Sequence, residues 1–144
     1  DMPELERYIL HRLHETGEAV RRGYESFDFK RAYWALLNFM TVDLSAFYFD
    51  IRKDALYCDP PDAIRRRACR TVLDALYSRL TAWLAPILCF TAEEAFSHLP
   101  DGQGESVFLQ EWHRLPPLPD VDGLEARWQQ VETPWGAPSA LCRP

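Results

Sequence analysis

Arginine, histidine, lysine and tyrosine side chains cluster in three short stretches of the sequence, over residues 7–14, 52–57 and 65–67. Arginine and lysine bind phosphate groups, and tyrosine rings stack on unpaired bases, so a surface combining the three stretches would suit RNA. The residues that could form this surface are Arg7, His11, His14, Arg52, Lys53, Tyr57, Arg65, Arg66 and Arg67. Any one of these cations is equally consistent with a charged side chain that solvates a helix.

The net charge of −6 argues against a polyanionic partner only until it is counted by segment. Residues 1–90 carry 13 Lys and Arg against 13 Asp and Glu, whereas residues 91–144 carry 3 against 9. All the cations are arginines except Lys30 and Lys53. Because arginine binds phosphate bidentately and stacks on bases, the composition permits a nucleic-acid partner for the first two thirds of the chain.

Apolar residues at intervals of three and four predict three long helices, whose apolar stripes run over residues 5–24, 29–51 and 69–87. Asp28 and Asp62 stand where N-caps of the second and third helices are expected. The stripe that should be buried in the second helix consists of Phe29, Ala32, Tyr33, Leu36, Met40, Leu44, Phe47 and Ile51. The polar residues Asp43, Ser45 and Asp50 interrupt this oily helix, and we expect them to fix helix ends, bond arginines or face another part of the protein.

The last third of the sequence is less regular. Thr91 and Glu94 have the spacing of a capping box, which would open a short fourth helix ending near Leu99. The stretch "SVFLQEW" alternates enough to predict a short extended segment, and Asp122 is the expected cap of a last helix that reaches Val131.

Short connections between successive amphipathic helices favour antiparallel neighbours. The predicted fold class is therefore all-α, an up-and-down antiparallel helical bundle with a short irregular C-terminal extension. We expect the bundle over residues 1–100, the extension packing on it over 101–131, and a disordered tail over 132–144. In this topology the start of the first helix, the end of the second and the start of the third lie together, which gathers the candidate residues at one end.

The sequence gives less support to a metal site or a catalytic site than to an RNA-binding surface. His11 and His14 could share a helix face, but a metal needs three or four ligands and no further His or Cys falls at helical spacing nearby. Glu93, Glu94 and His98 resemble half of a carboxylate-bridged metal site, and the other half is missing. The scattered cysteines, which we expect to be free thiols, are Cys58, Cys69, Cys89 and Cys142. We predict no metal site and no catalytic residue in this chain.

Two long stretches carry a family resemblance: "FDFKRAYWALLNFMTVDLSAFYFDIRKDALYCD" and "RRRACRTVLDALYSRLTAWLAPILCFTAEEAFSHLP". Together with "ESVFLQEW" they closely resemble the C-terminal anticodon-binding domain of bacterial-type isoleucyl-tRNA synthetases. The resemblance runs from Leu5 to about Trp128, and the sequence departs from the family after Val131. Valyl and leucyl enzymes share the helical layout but are less similar.

The resemblance implies a domain that docks behind the catalytic core of the same polypeptide and binds the anticodon stem-loop of isoleucine tRNA. The class I signatures His-Ile-Gly-His and Lys-Met-Ser-Lys-Ser are absent. We therefore expect no aminoacylation by this fragment and no cofactor in it, with ATP and Mg²⁺ bound by the catalytic domain of the parent enzyme.

No apolar run reaches the roughly 18 residues that a membrane-spanning helix needs, so we expect a cytoplasmic protein without a membrane partner, monomeric in solution. Two alternatives to the isoleucine assignment stay open: the corresponding domain of a valyl or leucyl enzyme, and a helical protein-interaction module. Salt-dependent binding of tRNA would separate RNA binding from protein binding, because counterion release accompanies only the former.

Overall fold

The computed structural model describes residues 2–99, 105–112, 123–124 and 126–128. The described residues contain helices and no strand, which confirms the all-α prediction. The helices are α1 (Glu4–Glu25), α2 (Phe29–Asn38), α3 (Phe49–Tyr57), α4 (Ile64–Leu84) and α5 (Cys89–Ser97), with a π-helical segment (Phe39–Tyr48) joining α2 to α3 and a 3₁₀ turn (Val107–Leu109) after α5. No helix in this described part combines the length and the hydrophobicity that a membrane crossing requires.

Helix α1 is the centre of the bundle, because it packs against α2, the π-helical segment and α4. Its predicted stripe is confirmed, since Leu5, Ile9, Leu13, Thr16 and Val20 are all buried. Helix α4 in turn packs against α3 and α5. A helix covered on several sides must bury a broad apolar face, and this is why the period of α1 was legible in the sequence.

The predicted stripe of the second helix holds only in part, and the winding of this helix changes midway along it. A π-helix closes its hydrogen bonds five residues back, so each of its turns holds more residues than an α-turn. The prediction holds for Ala32, Leu36, Leu44 and Phe47, which are buried. The residues wrongly expected to be buried, and exposed in the structure, are Phe29, Tyr33, Met40 and Ile51. The buried positions that replace them in the π-helical segment are Phe39, Asp43 and Tyr48.

The helix ends follow the sequence only in part. Asp28 caps α2 as predicted, accepting a hydrogen bond from the Arg31 backbone N–H at 3.0 Å. The prediction for Asp62 is wrong, because α4 begins at Ile64 after Ala63 and has no side-chain cap.

The predicted capping box of α5 is also wrong. The helix begins at Cys89, two residues before the expected cap. Glu93 lies on the side of α5 that faces the following segment, where its Oε2 accepts from Ser106 Oγ at 3.0 Å and from the Val107 backbone N–H at 2.9 Å. That segment forms a 3₁₀ turn rather than the predicted extended stretch.

The C-terminal part of the described chain packs on the bundle. Trp112 stacks on Trp83, with ring centroids 5.5 Å apart. Residues 123–124 and 126–128 are helical, and Trp128 stacks on Tyr8 at 6.0 Å and meets Phe47 edge-on at 5.9 Å. The expectations for Asp122, Val131 and the tail over 132–144 lie outside the described residues, and the boundaries at 100 and 131 stay predictions.

A buried ion pair ties α1 to α3. Glu6 is fully buried, and its two carboxylate oxygens accept from Arg52 Nε at 2.5 Å and Arg52 Nη2 at 2.8 Å. The Tyr48 hydroxyl lies 3.4 Å from Glu6 Oε1 and 3.4 Å from Cys69 Sγ on α4. Burial raises the pKa of both Tyr48 and Cys69, so these two groups stay protonated and neutral around the Glu6–Arg52 pair.

A second ion pair joins the middle of α1 to the π-helical segment. Arg12 Nε donates to Asp43 Oδ1 at 3.0 Å, and Arg12 Nη1 donates to Glu15 at 2.7 Å. Burial raises the pKa of Asp43, against the opposing effect of Arg12. The expectation that polar residues in this oily helix bond arginines is confirmed for Asp43. Asp50 bonds Lys53 on the surface instead, at 2.7 Å.

The Trp83 ring of α4 packs directly over Gly17 of α1, and we predict that alanine at Gly17 destabilises the protein. An added Cβ would lie 2.7 Å from two ring carbons of Trp83, whose backbone oxygen is held by the Tyr24 hydroxyl at 2.6 Å. Gly17→Ala should lower the free energy of unfolding by about 1–3 kcal/mol, although alanine is the better helix former. Urea denaturation measures this, with Gly123→Ala as the control because a Cβ at Gly123 meets open space. Equal effects of the two variants would contradict the packing argument.

The Glu6–Arg52 pair yields a second prediction. Glu6→Leu should lower the free energy of unfolding by about 3 kcal/mol, because it leaves Arg52 largely buried without its acid. Adding Arg52→Met should restore much of the loss, since an apolar pair can replace a buried ion pair. The exposed Asp50–Lys53 pair is the control, and Asp50→Ala should change stability by less than about 0.5 kcal/mol. A double variant that loses the full sum of both single variants would rule out coupling between Glu6 and Arg52.

Candidate nucleic-acid interface

The antiparallel topology brings three elements together at one end, as the sequence predicted. Contacts of Glu6 with Arg52 place the start of α1 beside α3, and the pairing of Asp59 with Arg65 places the loop after α3 beside the start of α4. We call this region the basic end, formed by the first two turns of α1, the last two turns of α3, the loop over 58–63 and the first turn of α4. It contains most of the predicted RNA-contacting residues.

Asp59 organises the loop of the basic end. Its carboxylate accepts from Arg65 Nε at 2.7 Å and from Arg65 Nη2 at 2.6 Å, and its backbone oxygen accepts from Arg66 Nη1 at 2.6 Å. Hydrogen bonding to Arg65 lowers the pKa of Asp59 and raises that of Arg65. One acidic residue therefore holds two of the predicted arginines in fixed positions.

The candidate cations differ in how far they are already engaged. Arg52 keeps only 12% of its side chain exposed and bonds Glu6 through two nitrogens, so its geometry is that of a residue that holds the helices together. Lys53 is exposed and pairs with Asp50, which raises the pKa of Lys53 through a hydrogen bond. Arg67 is exposed, and its side chain has no hydrogen bond or ion pair with any residue that the structure describes.

Tyr57 is the aromatic residue of the basic end. It is the last residue of α3, and 85% of it is exposed to solvent. Its ring therefore stands at the entrance to the loop that Asp59 fixes, one turn beyond Lys53. A planar, exposed ring at the same end of the bundle as these arginines can offer a stacking face to an unpaired base.

The α1 candidates spread away from the basic end. Arg7, His11 and His14 follow one another along the helix, so His14 lies about 10 Å further from the end than Arg7. All three are partly buried and engaged in contacts within the protein. His11 Nε2 lies 3.7 Å from Glu15 Oε1, its neighbour one turn along. Contact of these residues with RNA stays a prediction.

Sequence reasoning missed the acids of this end. Glu6 and Asp59 carry no motif, and their role appears only when the fold brings Arg52 and Arg65 to them. The sequence did contain one signal. Glu6 is a charged residue on the apolar side of α1, between Leu5 and Ile9, where an apolar residue is expected.

In the described part of the chain, no cluster of metal-ligating side chains marks an alternative site of chemistry. Among the residues that the structure describes, no three His, Cys, Asp or Glu side chains lie together in a way that could hold a metal ion. The free thiols of the same part of the chain are Cys58, Cys69 and Cys89, as expected, and Cys142 lies outside it. Glu93 is occupied by its bonds to Ser106 and Val107, as described above.

Comparison with known proteins gives a consistent result. The family model described as "Anticodon-binding domain of tRNA ligase" matches residues 6–133. The isoleucine–tRNA ligase of Agrobacterium fabrum is 51% identical over 132 residues, which are 91% of this chain and 13% of that protein. The isoleucine–tRNA ligase of Ruegeria pomeroyi is 59% identical over 116 residues, 81% of this chain and 12% of that protein.

The isoleucine–tRNA ligase of Brucella abortus is 52% identical over 132 residues, again 91% of this chain and 13% of that protein. The chain thus spans only 12–13% of the length of these curated relatives. The family model covers nearly the whole sequence. The matched part includes the residues of the basic end that bond Glu6 or Asp59. The chain belongs to the anticodon-binding domain family of tRNA ligases.

Proposed function

We propose that this chain binds the anticodon stem-loop of isoleucine tRNA at the basic end and holds the tRNA for aminoacylation by a catalytic core elsewhere in the same polypeptide. The observation that carries the proposal is the family match over residues 6–133, joined to relatives that are named isoleucine–tRNA ligases. The parent enzyme would use ATP and Mg²⁺ in that core, act in the cytoplasm and be a monomer. The bundle over 1–100 would carry the RNA contacts, and the extension over 101–131 would brace it.

The roles of the cations at the basic end follow from which of them are already bonded within the protein. Arg65 and Arg66 are fixed by Asp59, so they offer phosphate a preformed cationic edge with little loss of side-chain entropy. Arg67 is exposed and has no side-chain partner among the described residues, whereas Lys53 is exposed but would exchange Asp50 for a phosphate. Phosphate contacts of this kind position an RNA without reading it, and the Tyr57 ring is the group placed to touch a base.

Arg52 has a different role in this proposal. Its two bonds to Glu6 leave it poorly placed to reach RNA, and we propose that it positions α3 and thereby Lys53 and Tyr57. Arg7, His11 and His14 would contribute at the flank of the RNA rather than at its loop. A valyl or leucyl assignment, or a protein-binding module, has no specific observation in its favour.

Removing the Tyr57 ring tests the proposal. Tyr57→Ala should weaken binding of a hairpin with the isoleucine anticodon loop by about five- to 100-fold, the usual loss for one stacked base. It should also reduce the preference for this hairpin over one with a substituted anticodon. Filter binding measures both, with Phe90→Ala as the matched control, since Phe90 is a 93% exposed ring on α5. Equal losses for the two variants would contradict a site at the basic end.

The same filter-binding assay also tests the contribution of the Arg67 charge. Arg67→Gln should reduce the slope of log affinity against log salt by about one, because one phosphate contact releases about one counterion. Its effect should be similar for both hairpins. An unchanged slope would remove Arg67 from the interface.

A further inference from the structure

The residue between α1 and α2 adopts a backbone conformation that its side chain disfavours. Phe27 has φ of 57°, in the left-handed region, and it is the one described non-glycine residue with a positive φ. Around it the Asp28 N–H bonds Gly23 O at 2.8 Å and the Phe27 N–H bonds Tyr24 O at 3.1 Å. This is the helix-ending turn in which glycine usually stands, because only glycine enters that region without steric strain.

Burial does not compensate for this strain. Phe27 is 79% exposed, and the neighbouring Phe29 is 52% exposed. The two rings meet edge to face with centroids 6.3 Å apart, and Phe29 also contacts the Tyr24 ring at 6.0 Å. The turn thus presents two adjacent aromatic rings to solvent, one of them at the expense of backbone strain.

The cations beside these rings also stand at positions that the helix dipole disfavours. Lys30 and Arg31 lie in the first turn of α2, where the positive end of the helix dipole disfavours cations, and the acid at that helix end is the cap Asp28, which bonds the backbone rather than either cation. Both are exposed, and neither side chain has a hydrogen bond or ion pair with another described residue. Their condition differs from that of Lys53 and Arg65, which are paired with acids. Coinciding violations of local rules are expected where a surface serves a function.

The chemistry of this surface favours nucleic acid over protein. The surface consists of Phe27, Phe29, Lys30 and Arg31, and we call it the aromatic end. Unpaired lysine is depleted at protein interfaces, whereas aromatic rings flanked by cations are the usual platform for single-stranded RNA. The 22 residues of α1 separate the aromatic end from the basic end by about 33 Å, so one contact cannot explain both.

We propose that the aromatic end is a second RNA-binding surface, at which an unpaired nucleobase stacks on Phe27 while Lys30 and Arg31 bind the adjoining phosphates. This inference rests on the proposed function, because the RNA concerned is the tRNA that the basic end binds. The strain at Phe27 is then the consequence of keeping a ring at a position where glycine would be more stable.

Substitutions at Phe27 separate binding from stability. Phe27→Gly removes the ring and relieves the strain, so it should raise the melting temperature by roughly 3 °C and weaken binding of an isoleucine tRNA transcript about five- to 100-fold. Phe27→Ala should weaken binding equally without the gain in melting temperature, because alanine remains strained. Phe27→Tyr should retain binding. Lys30→Gln and Arg31→Gln should each lower the salt slope by about one.

Tyr57→Ala is measured in parallel on the same 144-residue chain. Loss of affinity at Tyr57 with none at Phe27 would overturn the second surface and leave the proposed function standing. Retention of full affinity by Phe27→Gly, or equal binding of Phe27→Ala and Phe27→Tyr, would likewise overturn it and favour a protein contact at the aromatic end. No tRNA binding by the unaltered chain would overturn both proposals.

Discussion

The bond between the buried Glu6 carboxylate and Arg52 is the constraint on which the arrangement of the bundle depends. A carboxylate with no exposed surface is tolerated only when its charge is paired and its oxygens are hydrogen-bonded. Arg52 meets both conditions, but only if α3 stands at one height and one rotation relative to α1. Tyr48 and Cys69 then fill the remaining space around the carboxylate, and α4 is brought to the same end.

The π-helical segment lies where one helix must satisfy both the Glu6–Arg52 pair and the Arg12–Asp43 pair. One member of each pair, Asp43 or Arg52, lies on the continuous helix that begins with α2, and the wider winding of the π-helical segment changes which positions of that helix face inward. The change of winding accounts for the burial of Phe39, Asp43 and Tyr48, which the sequence pattern missed, whereas Phe29 and Tyr33 are exposed on α2 itself. Periodicity describes α-windings, and the two ion pairs join residues that are distant in sequence.

The candidate site, too, could be predicted from the sequence only in part. Antiparallel topology, read from connection lengths, was enough to gather Arg52, Lys53 and Arg65 at one end. It could not show that Arg52 and Arg65 already have acidic partners, because Glu6 and Asp59 become neighbours only in the fold. Nor could it show the opposite end, where the strain at Phe27 is a backbone property that no composition or spacing reveals. The two ends differ in kind: the basic end holds most of its cations in pairs, and the aromatic end leaves them free.

We propose that the anticodon loop docks on the basic end with its paired cations. Backbone amide chemical shifts of the isotope-labelled chain, titrated with an isoleucine anticodon stem-loop hairpin, measure where the hairpin binds. Shift changes should be concentrated over residues 52–58 and 64–67, with Tyr48 and Cys69 unmoved because the buried cluster behind them stays intact. Changes confined to α5 and residues 105–112, with none at the basic end, would contradict it.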